Sequence, residues 1–164
     1  MVAGLVLLLA GCGSGSGTAM SSSTAAGSSP SVNRVAIGTG RGPHGTYLTG
    51  ASGRALYLWV GDSDGASNCT GGCAAVWPPV LGKARPVLAS GVRGAGLSTI
   101  VRSDGTEQVS YDGHPLYYFA ADHGAGTTQG EGSDSFGARW WLVAPSGAAI
   151  TTNGGSATAP PAGY

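Results

Sequence analysis

Apolar positions in this chain come in short bursts of four to six residues, cut by glycine and polar turns. That rhythm predicts strands rather than helices. Val35-Ala36-Ile37-Gly38 and Tyr47-Leu48-Thr49 read as the first two strands. From Ala55 to Val60 the alternation puts Tyr57 and Trp59 on one face and Leu56, Leu58 and Val60 on the other. Both faces are apolar, which predicts a central strand. Ala74 to Trp77 allows one helical turn, stopped by Pro78-Pro79, with Trp77 as a core plug. Further on, Thr99 to Arg102, Glu107 to Tyr111 and the stretch after Gly113 form a meander. Asp104-Gly105 and Asp112-Gly113 are the residue pairs favoured in two-residue type I′ hairpins. Asp62 at the end of its strand is expected to accept backbone N–H groups two residues on. Pro86 to Gly96 reads as an irregular join, and Gly124 to Gly137 as a long polar loop. Trp140 to Ala144 is a closing strand, followed by a turn and Ala149-Ile150-Thr151.

A repeat underlies these strands. Gly113-His114-Pro115-Leu116-Tyr117-Tyr118-Phe119-Ala120-Ala121-Asp122 reads G-x-x-L-Y-x-[aromatic]-x-x-D. So does Gly53-Arg54-Ala55-Leu56-Tyr57-Leu58-Trp59-Val60-Gly61-Asp62. The predicted fold is all-β: two pseudo-repeated antiparallel units, about 44–82 and 97–147, packed as a compact sandwich or small barrel with little helix. Leu56, Tyr57, Trp59, Asp62, Leu116, Tyr117, Phe119 and Asp122 are its structural motif. The β domain spans 34–152.

The N-terminus carries a different signal. Val2 to Ala10 is apolar and too short to span a bilayer, which takes about 20 residues. Leu9-Ala10-Gly11-Cys12 follows and is similar to a lipobox, in which the cysteine is lipidated. Residues 1–12 are therefore expected to be a lipoprotein signal peptide ending at Cys12. No Lys or Arg precedes the apolar run, so the true start is expected upstream. Residues 13–33 are nearly all Gly, Ser, Thr and Ala, too poor in apolar surface to fold, and read as a disordered tether. The tail 153–164 is expected to be disordered too. The expected location is the outer face of a bacterial cell membrane, held by lipidated Cys12.

Composition narrows the chemistry. Eight basic residues balance eight acidic ones in 164, so no positive field exists to gather nucleic acid. With Cys12 lipidated, Cys69 and Cys73 remain as an even pair in an exported chain and are expected to form a disulfide. No G-x-S-x-G elbow, P-loop or haem-attachment C-x-x-C-H is present. His114 and His123 with Asp122 are candidate metal ligands, although isolated histidines in turns are the commoner case. The strand aromatics could stack a flat ligand, although most such aromatics fill cores.

Taken together, the two Y-x-[FWY]-x-x-D motifs, Cys69-Thr70-Gly71-Gly72-Cys73-Ala74 with Trp77-Pro78-Pro79, Arg102-Ser103-Asp104-Gly105, Gly113-His114-Pro115-Leu116-Tyr117 and Trp141 resemble a bacterial family. Its members are exported lipoproteins with a tandem secreted repeat of unknown function. The resemblance covers roughly residues 44 to 147 and implies export, a lipid anchor and a repeated domain, but no reaction. One loop departs from the pattern: Gly126 to Gly132 has Thr127 and Glu131 where the family usually has Asp and Gln. The expectation is a non-catalytic lipoprotein without cofactor. Its partners would be the membrane, through the anchor, and an envelope protein or wall component. An accessory role in envelope redox, metal or haem chemistry is the alternative.

Overall fold

The structure, a computed structural model, describes residues 34–82, 86–89, 92 and 96–151. The expected signal peptide with Cys12, the tether 13–33 and the tail 153–164 lie outside these residues. Among the described residues nine strands and one helical turn follow in order: β1 Ala36–Gly42, β2 Gly45–Thr49, β3 Tyr57–Trp59, α1 Gly72–Val76, β4 Val87–Leu88, β5 Leu97–Val101, β6 Glu107–Tyr111, β7 His114–Pro115, β8 Asp134–Ser135 and β9 Ala138–Leu142. They make three three-stranded sheets, ordered β2-β1-β4, β3-β9-β8 and β5-β6-β7. Among the described residues the fold is all-β with little helix, and no sheet closes into a barrel.

β3 is central, as its two apolar faces require. Tyr57 pairs with Leu142 of β9 on one side and with Tyr117 on the other. Tyr117 in turn bridges to Pro79. This ribbon has a core on each face. Tyr57, Tyr117, Trp77, Trp140 and Leu142 fill one. Leu56, Leu58, Leu116, Val80, Val109 and Val143 fill the other. Period-two alternation along both motif copies sorts the tyrosines to the first core and the leucines to the second. Val60 departs from the expected pattern: β3 has ended and its side chain is 47% exposed.

The strands match a two-fold relation between the repeats. Leu48 N–H bonds Val143 O (2.7 Å) as Val109 N–H bonds Val80 O (2.8 Å). Leu56 N–H bonds Leu48 O (2.9 Å) as Leu116 N–H bonds Val109 O (3.0 Å). Each repeat therefore completes the other's sheet.

Local chemistry explains where the sequence reading needs correcting. The Asp112-Gly113 turn is as expected, with φ of 51° and 84°, positive at both central residues. At Asp104-Gly105 only Gly105 is positive (78°), so this is not a type I′ turn. Asp104 Oδ1 accepts Thr106 N–H at 2.9 Å and Thr106 Oγ1–H at 2.6 Å, a local clasp that produces a longer connection. β1 runs on to Gly42 because the Tyr47 ring lies over Gly40 and Gly42. A Cβ on Gly40 would sit 2.9 Å from that ring. The join after Pro86 holds β4, which pairs in parallel with β1. The loop 124–137 holds β8, which turns into β9.

Leu56 and Leu116 are both fully buried. Truncating either to Ala is expected to cost about 2–5 kcal/mol in denaturant unfolding, through lost transfer energy plus a residual cavity. A loss below roughly 0.5 kcal/mol at both sites would place the motif leucines outside the core.

Candidate functional site

The two motif copies meet back to back, and their polar groups cross. Tyr57 N–H bonds Tyr117 O and Tyr117 N–H bonds Tyr57 O, both at 2.9 Å. From this shared bridge each tyrosine reaches the other repeat's aspartate. Tyr57 OH donates to Asp122 Oδ2 at 2.6 Å, and Tyr117 OH donates to Asp62 Oδ2 at 2.7 Å. The second carboxylate oxygens are used alike. Asp62 Oδ1 accepts Asn68 N–H and Asp122 Oδ1 accepts Gln129 N–H, both at 2.8 Å. The amides of Asn68 and Gln129 then bond back to Gly61 O (3.1 Å) and Ala121 O (3.0 Å). The expected turn, set by Asp62 two residues on, is replaced by a wider loop clasp, because the carboxylate is drawn inward by the opposite tyrosine.

Around this frame the halves differ. On the Asp62 side, Tyr117 OH shares a 2.7 Å bond with Ser67 Oγ. Buried Arg102 donates to Gln108 Oε1 (2.6 Å), to Ser67 Oγ and to Cys69 O (2.7 Å), so a cation from repeat 2 holds the cysteine loop of repeat 1. On the Asp122 side, Arg54 donates to Asp122 O (3.0 Å) and Phe119 O (2.7 Å) and lies 4.7 Å over the Tyr118 ring. The sequence gives no sign of a role for Arg54, Ser67 or Gln108, and Arg102 stands out there only as part of the Arg102-Ser103-Asp104-Gly105 motif. Each is an ordinary polar residue in a turn or strand; the fold buries Arg102, Ser67 and Gln108 and leaves Arg54 half-buried.

Burial governs the electrostatics. Desolvation pushes the Asp62 carboxyl up to about 6, against the Tyr117 and Asn68 bonds and the Arg102 charge, which favour the ionised form. The Tyr57 and Tyr117 phenols are raised well above their usual value, chiefly by desolvation and then by their aspartate partners. Both stay protonated donors at neutral pH. Glu131, in the loop after Asp122, bridges to β9 by accepting Leu142 N–H at 2.6 Å. Desolvation pushes its carboxyl up to about 7.

The aromatics stack on one another. Trp77 and Trp140 are 3.9 Å apart and 2° from parallel. Trp59 caps Trp140 at 5.3 Å and Phe119 caps Trp77 at 4.4 Å. Tyr57 and Tyr117 meet Trp77 and Trp140 edge-on at 5.4 and 5.2 Å. Both indole N–H groups of the central pair bond Ser135, Trp77 to its Oγ and Trp140 to its carbonyl. The inner ring faces thus fill a core. Gly130 lets the second loop cross this stack, since a Cβ there would lie 2.7 Å from Trp77.

Cys69 and Cys73 form the expected disulfide, with Cα atoms 5.2 Å apart. The candidate metal ligands are not assembled. Asp122 is buried with both oxygens engaged, and His123 is exposed. His114 lines a recess of about 280 Å³ with Asp62, Asp64 and Asp112, and burial lowers its pKa. Among the described residues no group of three or more His, Cys, Asp or Glu is placed to hold a metal ion.

Tyr57→Phe leaves the buried Asp122 carboxylate, and Tyr117→Phe the half-buried Asp62 carboxylate, short of a donor. Each is expected to lower stability by about 1–3 kcal/mol in denaturant titrations. Two losses within error of zero would mean that the crossed bonds carry no stability. A second prediction concerns pH. The folded pKa values of Asp62 and Glu131 lie above their ordinary values of 3.8 and 4.5. Their contribution to stability is therefore fully present below those ordinary values and is lost as pH rises through about 6 and about 7. Melting scans of Glu131→Gln are expected to fall less between pH 5 and pH 8 than those of the parent. An equal or steeper fall would remove Glu131 from the account.

No curated protein and no solved structure matches the chain. The Lipoprotein_15 family model, described as a secreted repeat of unknown function, matches twice, at residues 38–81 and 98–144. The two matches take in the two halves related by the crossed bonds, β1 to Leu81 and β5 to Ala144. The chain therefore belongs to this family of secreted repeats of unknown function and carries two copies, folded as one reciprocal pair.

Proposed function

We propose that this chain is an exported lipoprotein, held at the outer face of the cell membrane by lipidated Cys12, and that its two-repeat domain is a non-catalytic binding or structural module of the envelope. The observation that carries the non-catalytic reading is the crossed pairing. The motif's phenols and carboxylates, its only repeated chemistry, are satisfied by each other inside the fold. A protonated tyrosine locked to a carboxylate serves structure rather than proton transfer to a substrate. The anchor reading rests on Leu9-Ala10-Gly11-Cys12 and the Gly/Ser stretch behind it. Recognition is assigned to the loops after Asp62 and Asp122, where the halves differ most in sequence and where loops usually carry function. Both are held from the opposite repeat, so they present fixed surfaces to an envelope protein or wall component. The even charge balance gives no attraction to nucleic acid.

Cell fractionation tests the anchor. The parent is expected in the membrane and to partition into detergent, and Cys12→Ala is expected to be released or left unprocessed. A correctly cleaved Cys12→Ala chain that stays on the membrane would refute it. Protein purified from its native envelope tests the rest. A Soret band, or about one transition metal per chain lost on His114→Ala, would favour the redox alternative.

A further inference from the structure

The aromatic stack has two unlike ends. Its order is Trp59, Trp140, Trp77, Phe119, with ring centroids 5.3, 3.9 and 4.4 Å apart. The two central indoles are fully buried, whereas Trp59 and Phe119 are only partly so. An indole gives up an electron far more readily than a benzene ring, so Phe119 blocks one end and Trp59 opens the other. Two phenols stand beside the central pair: Tyr57 edge-on to Trp77 at 5.4 Å and Tyr117 edge-on to Trp140 at 5.2 Å. Each phenol already directs its proton at a carboxylate oxygen, 2.6 Å away on Asp122 and 2.7 Å away on Asp62.

The indole protons have no such outlet. The Trp59 N–H is buried without a hydrogen-bond partner. Those of Trp77 and Trp140 meet the hydroxyl and the backbone carbonyl of Ser135, neither of which is a base at neutral pH. An oxidised indole here keeps its proton and its positive charge. An oxidised phenol is a strong acid, and a carboxylate within hydrogen-bond reach takes its proton. A positive charge that moves from indole to phenol therefore meets the negative charge of the carboxylate. A neutral phenoxyl radical and a neutral carboxylic acid remain. Shielding from water favours neutral species over charged ones, so the fold itself sets the direction. The same desolvation pushes the Asp62 carboxyl up to about 6, which makes it a better proton acceptor than an exposed aspartate.

We propose that this core is also a one-electron relay, which carries an oxidising hole from Trp59 through Trp140 and Trp77 to the crossed tyrosine–aspartate pairs. An oxidising radical from outside the chain, of the peroxyl or carbonate class, takes one electron from Trp59 and is itself reduced. The hole passes along the stack and ends on Tyr117 or Tyr57. There the phenolic O–H bond breaks, and the proton forms a new O–H bond on Asp62 or Asp122. One external radical is thereby exchanged for one phenoxyl radical inside the fold, away from the surface. The relay is made of side chains alone, and it does not depend on the anchor or on the binding role proposed above.

Flash-quench oxidation of the full chain, with ruthenium tris-bipyridine as the photo-oxidant, tests this. Transient absorption separates tryptophan radicals from tyrosyl radicals. The parent is expected to form a tryptophan radical that decays into a tyrosyl radical, more slowly in heavy water than in water. Tyr57→Phe combined with Tyr117→Phe is expected to lose most of the tyrosyl signal and to prolong the tryptophan radical. Asp62→Asn combined with Asp122→Asn keeps an acceptor oxygen for each phenol but no base, and is expected to do the same. Trp59→Phe keeps a ring at the open end and is expected to lose most of the tyrosyl signal. A tyrosyl yield unchanged in the double phenylalanine variant would overturn the proposal, because the radical would then sit on another tyrosine. Equal rates in water and heavy water for the parent would overturn it as well, with no substitution needed.

Discussion

Two hydrogen bonds from phenol to carboxylate, exchanged between the repeats, hold the structure together. Each joins residues more than fifty positions apart; the Tyr57–Asp122 bond is buried and the Tyr117–Asp62 bond partly so. A carboxylate taken from water is costly unless donors surround it. Here each aspartate receives one donor from the opposite repeat and one from its own loop. The tyrosine therefore does two things: it satisfies the charge, and it fixes where the loop behind the aspartate returns. The tryptophan stack sits on the same pseudo-axis, with Trp77 from one half and Trp140 from the other at its centre. Packing and polar satisfaction thus impose the same relation between the halves.

Much of this frame was legible in the residues. The spacing of Leu, Tyr, aromatic and Asp gave the repeat, and period-two alternation gave the two faces of β3. Asp112-Gly113 gave a turn, because left-handed backbone at both central positions favours just such residues. The Phe136-Gly137 turn was hidden. Phe136 takes a φ of 62°, a conformation that sequence rules reserve for Asn, Asp and Gly, so β8 read as loop. Asp64-Gly65 also has positive φ at both positions (53° and 69°), a turn not foreseen beyond the Asp62 strand end. The crossing itself left no mark on any one segment. A motif read within one repeat suggests that its tyrosine serves its own aspartate. The strand between them instead carries each aspartate away from its own tyrosine and toward its counterpart's.

The asymmetries are as informative as the symmetry. Repeat 1 has a disulfide loop held by Arg102, and repeat 2 has a loop of similar length held through Gln129 and Glu131. A duplicated frame with two different loops keeps its polar interior fixed while its outer surfaces diverge. Glu131 shows how far that freedom reaches. It places an ionisable group near neutrality on a loop that touches β9, and the frame accommodates it with a single backbone bond.

The crossed bonds also bear on how such a chain reaches its folded state after secretion. Tyr57 waits for an acceptor 65 residues downstream, and Asp62 for a donor 55 residues downstream. Leu56 waits longer still, since its carbonyl is met by Val143. Emerging from a translocation channel N-terminus first, the leading repeat has no finished core of its own. It remains an open sheet with an unpartnered carboxylate until nearly all of the second repeat is through. Contacts this distant in sequence make folding slow and leave strand edges exposed meanwhile. The disulfide between Cys69 and Cys73 lies wholly within the leading half and needs none of the trailing one. It can close first, tying down the loop that Arg102 and Tyr117 later reach.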